Sequence, residues 1–171
     1  DGPQNLLDAV ILAREPGARG VVVVMGGRVH LADEIRQIES YRIDAFSSGQ
    51  AGPSALIEEG LVRQLRSWPD EPGQGLAMVT ARRLPWPWVE IVLSHAGADS
   101  RAVDALTAAG VRGLVVAGTG NGTVHEQLQP ALQRAQAAGV EVLVTSRCAF
   151  GGVVGGAEDG VAGVRRLSAP Q

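Results

Sequence analysis

Gly118-Thr119-Gly120-Asn121-Gly122-Thr123 is the stretch whose residue types could do chemistry. Glycines at every second position let backbone N–H groups come close to a small anion, while hydroxyl and amide side chains reach the same point. Thr123 is a weak candidate nucleophile. A hydroxyl attacks an amide only with a base beside it or a lowered pKa, and Asp99, Glu126 and His125 are the candidates for taking its proton or activating water directly. Asn121 and Thr123 are candidate substrate-binding residues, although turn and cap geometry alone would also explain both. His30, His95 and His125 are too scattered for a metal centre, and the single Cys148 adds little. No metal or cofactor is expected.

The elements that must position this loop are readable around it. Leu114 to Ala117 is an apolar run that reads as a buried strand, and Val124, Leu128, Leu132 and Ala135 recur on one helical face. Thr123 then falls at the N-cap position of a helix over 124–138. Strand, glycine loop and helix N-terminus is a common way of gathering free N–H groups around an anion. Two similar units flank this one: a strand at 89–93 with a helix at 100–109, and a strand at 140–145 leading to the tail. Such alternation predicts a parallel sheet with its ligand loops at the carboxyl ends.

The first part of the chain reads differently. A helix over 6–13 ends at Pro16-Gly17. The run 21–25 is continuous and β-branched, as in a strand covered on both faces. Gly26-Gly27 then turns the chain into Val29-His30-Leu31, a β-hairpin, and 35–46 reads as a further strand. Trp68-Pro69, Pro72-Gly73 and Pro85-Trp86-Pro87 punctuate a linker, whose Trp68, Trp86 and Trp88 are expected to pack against the domains. Glu58-Glu59 and Arg82-Arg83 read as solvated surface. Five glycines between Gly151 and Gly160 predict a flexible or tightly turned tail. The resulting division is 1–64, a linker at 65–88, and 89–171.

Composition sets the outer limits. The 171 residues are 45% apolar and 19% charged, enough to bury a core, with no run long enough to span a membrane. A net charge of −3 argues against nucleic acid as a partner. One cysteine excludes an intrachain disulfide, and with no leader pattern at the start, cytoplasm is the default location. All 15 basic residues apart from histidine are arginine; there is no lysine.

The motifs, taken in order, resemble the bacterial-type L-asparaginases (asparaginase/glutaminase amidohydrolases). Asp1-Gly2-Pro3-Gln4-Asn5-Leu6 is similar to the family's Asp-Gly-Pro-x-Asn-Leu segment. Gly20-Val21-Val22-Val23-Val24-Met25 with Arg28-Val29-His30 is similar to the strand pair after it, and Asp44-Ala45-Phe46 with Gly52-Pro53 to the next landmark. The loop itself resembles the family's Gly-x-Gly-Asn-Gly, and Thr145-Ser146-Arg147 its Ser-Ser-Arg strand end. The resemblance implies an α/β fold: a remnant of the N-terminal α/β domain over 1–64, then a small flavodoxin-like domain over 89–171. It implies hydrolysis of L-asparagine to L-aspartate and ammonia, with Glu158 holding the α-amino group of a substrate in a neighbouring protomer. Arg147 would be structural, most simply through an ion pair.

The same resemblance predicts a short form. The family's Thr-Gly-Gly-Thr and Gly-Thr-Asp-Thr loops have no counterpart here, its catalytic lysine falls on Gln37, and arginine cannot replace lysine as a proton acceptor. Losing a nucleophile costs on the order of a million-fold in turnover. Thr119 to Thr123 only superficially echoes the first of those loops. Leu167-Ser168-Ala169-Pro170-Gln171 resembles the family's approach to a final helix. Bare apolar surface is therefore expected, to be buried in a homo-oligomer or against a partner. Three functions remain open: a short-chain L-asparaginase built around Asn121, Thr123 and Glu158, a non-catalytic binder of a small amino acid, or one part of a split enzyme.

Overall fold

A computed structural model describes residues 1–70, 80 and 85–154, with the backbone of 164–168. The chain divides into two compact units, Asp1–Arg82 and Arg83–Gln171. The proposed linker thus straddles that division. Its Trp68 packs on the core of the first unit, whereas Trp86 and Trp88 are exposed.

The first unit opens with helix α1 (Gly2–Ala13), longer at its start than the periodicity predicts because Pro3 suits the first helical turn. Strands β1 (Val22–Met25) and β2 (Arg28–Leu31) form the expected hairpin, with Met25 opposite Arg28. Gly26 and Gly27 have φ of 57° and 69°, the pair of positive values that a two-residue primed turn requires. Strands β3 (Arg36–Gln37) and β4 (Phe46–Ser47) pair separately, followed by a 3-10 turn at Gly49–Ala51 and the hairpin of β5 (Ala55–Glu58) and β6 (Leu61–Gln64). The main sheet runs β1-β2-β5-β6, antiparallel throughout. Its core is Leu12, Val29, Ala55 and Ile57.

Two expectations fail in this unit. The 21–25 run is not covered on both faces: β1 is the edge strand of its sheet, and its four residues are only half-buried. Nor is 35–46 one strand. Ile38 and Glu39 both donate their N–H to the Ala45 carbonyl, at 2.7 and 3.3 Å, which folds the segment into a looped hairpin. Ile38, Tyr41 and Ile43 stand exposed on that loop, so their spacing carries no strand periodicity.

In the second unit β7 (Val89–Leu93), β8 (Gly113–Gly118) and β9 (Glu141–Ser146) are parallel, as the sequence predicts. Strand β10 (Val164–Ser168) adds a fourth member beside β9, giving the order β10-β9-β8-β7. Two arginines in its middle conceal the apolar pattern that would announce it. Helices α2 (Arg101–Ala108) and α3 (Gln129–Ala137) pack their Val103, Leu132 and Ala135 against Leu114, Val116, Val142 and Val144. Fully burying each large aliphatic side chain here stabilises by roughly 1.5–3 kcal/mol. The alternate residues of β7, Val89, Ile91 and Leu93, are instead exposed. No helix among the described residues is long and apolar enough to cross a membrane.

Candidate functional site

The 118–123 loop leaves the carboxyl end of β8, inside the parallel sheet rather than at its edge. It is closed by a reciprocal backbone pair: Thr119 donates to the Thr123 carbonyl at 3.0 Å and Thr123 donates back to the Thr119 carbonyl at 2.8 Å. The Gly122 N–H also donates to Thr119, at 3.0 Å. This closure needs two particular glycines. A Cβ on Gly118 would lie 2.6 Å from the Gly122 carbonyl carbon, and Gly122 itself has φ of 87° with Val153 at 2.9 Å from any added Cβ. Among the described residues, the N–H groups of Gly120 and Asn121 donate to no acceptor, so these two amides are the ones open to a ligand.

Neighbouring elements hold the loop from below. The Ser146 hydroxyl donates to the Gly120 carbonyl at 2.5 Å and accepts from the Cys148 N–H at 3.0 Å, while the Arg147 N–H donates to Gly118 at 2.8 Å. The Thr-Ser-Arg strand end is therefore a brace for the glycine loop, made by a serine and a backbone amide rather than by the Arg147 side chain. Among the described residues Arg147 has no ion pair within 4.0 Å, because its side chain stands exposed past the end of β9. Sequence reasoning missed Ser94 and gave Ser146 no role beyond its motif; serine as the last or next residue of a parallel strand was the available signal.

Asn121 is held at both ends of its amide. Its Nδ2 donates to the Val154 carbonyl at 2.8 Å, and its Oδ1 accepts the Val154 N–H at 2.7 Å. Thr123 is not the N-cap of the helix. The helix begins at Gln129 after Leu128, with Pro130 setting its first turn, and residues 125–128 form a separate turn through the His125 carbonyl. The positive end of α3 is accordingly six residues beyond Thr123, not at it. The expected apolar face is nonetheless intact: Val124, Leu128, Leu132 and Ala135 are all buried.

The candidate bases do not meet the threonines. The Thr119 hydroxyl is turned to the Thr123 carbonyl at 3.4 Å, and no carboxylate or imidazole among the described residues bonds the Thr123 hydroxyl. Asp99 accepts the Arg101 N–H at 3.0 Å and its guanidinium at 2.7 Å; the backbone bond above all, and then that side chain, hold its carboxyl below the usual range. His125 accepts the Gln127 N–H through Nδ1, at 3.3 Å, while its backbone N–H donates to the Ser94 hydroxyl at 2.9 Å. Glu126 is exposed. Gln37, where the resemblance expects lysine, donates from Nε2 to the Glu39 carbonyl at 3.0 Å. Glu158 lies outside the described residues, as does most of the glycine-rich tail. No group of three or more metal-ligating side chains occurs among the described residues.

The fold is thus an α/β unit built on a parallel sheet, with a glycine loop at the carboxyl end of β8, and a small antiparallel unit. The comparisons with known proteins specify it. Residues 1–69 match the N-terminal asparaginase family and residues 88–169 the glutaminase/asparaginase C-terminal domain. The chain belongs to the asparaginase family. It is 32% identical over 162 residues to the glutaminase-asparaginase of Pseudomonas fluorescens biotype A, covering 90% of this chain and 43% of that protein. It is 31% identical over 161 residues to a glutamyl-tRNA(Gln) amidotransferase subunit of Pyrococcus furiosus, covering 90% and 36%. Among solved structures it resembles a probable cytoplasmic L-asparaginase from Campylobacter jejuni, with a TM-score of 0.86, 28% identity, and coverage of 99% of this chain and 54% of that one. The chain thus spans less than half the length of these two curated relatives.

Proposed function

We propose that the chain belongs to an amidohydrolase that converts L-asparagine to L-aspartate and ammonia, and that the 118–123 loop holds the amino acid. One observation carries the reading: in a chain of this family, the Gly120 and Asn121 amides are open at the carboxyl end of β8. Two adjacent N–H donors suit a carboxylate oxygen. Because the Asn121 side chain is committed to Val154, its contribution to substrate comes through its backbone; the Thr123 hydroxyl and Glu158 complete the set. Among the described residues neither Thr119 nor Thr123 is joined to a base, and the 171 residues contain no lysine. The reading therefore assigns this chain substrate binding, and assigns Thr123 an attacking role only if a base reaches it.

A second reading has its own support. The likeness to glutamyl-tRNA(Gln) amidotransferases favours an enzyme whose ammonia is passed to another acceptor rather than released. Self-association through the exposed aliphatic residues of α1 and β7, and a cytoplasmic location, belong to the same proposal.

The experiment is ammonia release from L-asparagine and from L-glutamine by the purified protein, with calorimetric titration of L-aspartate alongside. Ammonia from asparagine that drops in Thr123→Ala supports the hydrolase. Binding of L-aspartate without ammonia makes the chain a binding module or part of a split enzyme. Neither ammonia nor binding at about 10 mM, roughly 3 kcal/mol of affinity, overturns the assignment.

A further inference from the structure

The first unit contains a cavity of about 200 Å³ that the function proposed above does not use. Its apolar walls are Met25, Ile43 and Phe46, and its polar groups are Arg28, His30 and Asp44. Arg28 and His30 stand two residues apart on β2, so their side chains leave the same face of the sheet. An engineered cavity of about 150 Å³ holds benzene, so this one accommodates a molecule of six to eight heavy atoms, on that order.

The polar groups are unequally committed. Asp44 is already taken: Arg42 donates to its two oxygens at 3.0 and 3.2 Å. Arg28 has no acidic partner within 4.0 Å among the described residues. His30 is only 2% exposed, and its Nδ1 bonds the buried Ser48 hydroxyl at 2.8 Å. That leaves Nε2 as the ring nitrogen for a guest. Burial first, then the Arg28 and Arg66 charges, lower the imidazole pKa from its ordinary 6.5, against a smaller opposing effect of Glu34. In the tautomer whose Nδ1 accepts from the serine, the ring proton sits on Nε2. A guanidinium and an imidazole thus line the same apolar cleft.

We propose that this cavity is a binding site for a small monocarboxylate with a short apolar body, its carboxylate held by Arg28 and His30 and its body by Met25, Ile43 and Phe46. Charge-assisted bonds from a guanidinium match a carboxylate in geometry as well as charge. The Asp44 carboxylate beside the cleft selects against a second negative charge on the ligand. The inference does not depend on the reaction proposed above, since none of its residues belongs to the 118–123 loop.

The test is calorimetric titration of the whole chain with sodium butanoate, butanamide and glutarate, together with NMR of the His30 ring nitrogens. Butanoate binds and shifts the Nε2 resonance, while butanamide and glutarate bind about tenfold more weakly or not at all. Arg28→Gln, an exposed position whose change leaves the fold intact, weakens butanoate about tenfold. Equal binding of butanoate and butanamide overturns the proposal. So does unchanged affinity in Arg28→Gln, or no binding up to about 100 mM butanoate, a concentration worth little more than 1 kcal/mol.

Discussion

The two units are held together by different physics. The second buries a continuous aliphatic layer between α2, α3 and the parallel strands, with Val103, Val116, Ala131 and Leu132 wholly excluded from water. The first has a small apolar core, and next to it a set of buried polar groups: His30, Ser48, Ser54 and Asp8. Arg66 ties several of its segments together, donating two bonds to Glu34 and one each to the Gly52 carbonyl, at 3.1 Å, and the Ser54 hydroxyl, at 3.2 Å. Apolar burial depends on volume and tolerates changes of charge. Directed polar contacts depend on every partner being present in the right protonation state.

Substitutions can break that contrast in a definite order. Leu132→Ala, in the second unit, should cost about 2–5 kcal/mol in denaturant unfolding, with hydrogen exchange accelerated across α3 and β8 and unchanged across β1 and β2. Exchange that rises equally in both units would end the distinction. Gly118→Ala should cost about 1–3 kcal/mol by forcing backbone against backbone, and exchange should then rise at the Thr119 and Thr123 amides before anywhere else. Arg66→Met should cost about 1–2 kcal/mol, the lower part of the range for a lost charged hydrogen-bond partner, because the pair is about one-third exposed. Its effect should be confined to the first unit.

Two smaller effects sharpen the comparison. The His30 pKa is lowered in the folded protein from its ordinary 6.5, so the unfolded chain binds the proton more readily. The first unit should keep its full stability above pH 6.5 and lose it progressively as the pH falls below that value; His30→Gln should flatten the dependence. A first unit whose melting temperature is constant from pH 7.5 to about pH 5 would contradict this. Last, Arg63→Ala breaks a surface pair with Glu58 and should move stability by less than about 0.5 kcal/mol by denaturant titration.

Legibility in the sequence follows the same division. Strands β7, β8 and β9 are short, largely apolar β-branched segments, which need only local information to be recognised, and the Gly26-Gly27 hairpin follows from the backbone freedom of two adjacent glycines. The misreadings arise where hydrogen bonding and backbone constraint, rather than residue type, decide. The apolar content of 35–46 suggests a strand, but the Ala45 carbonyl takes two of its amides and makes a loop. A threonine after glycine looks like a cap, which would start α3 at Thr123, whereas Pro130 sets the first turn. At the loop, the residue types single out Asn121, but its partner is 33 residues away at Val154. The His30–Ser48 pair spans 18 residues with no motif to announce it.

The grip on Asn121 bears on how the protein ages. Asn-Gly is the sequence most prone to spontaneous deamidation, which begins when the glycine nitrogen attacks the asparagine side-chain carbonyl carbon. Here the Gly122 N–H is spent on Thr119 at 3.0 Å, and Val154 fixes the amide from both sides. The folded loop shields its own weakest bond, and each unfolding excursion during storage removes that shield.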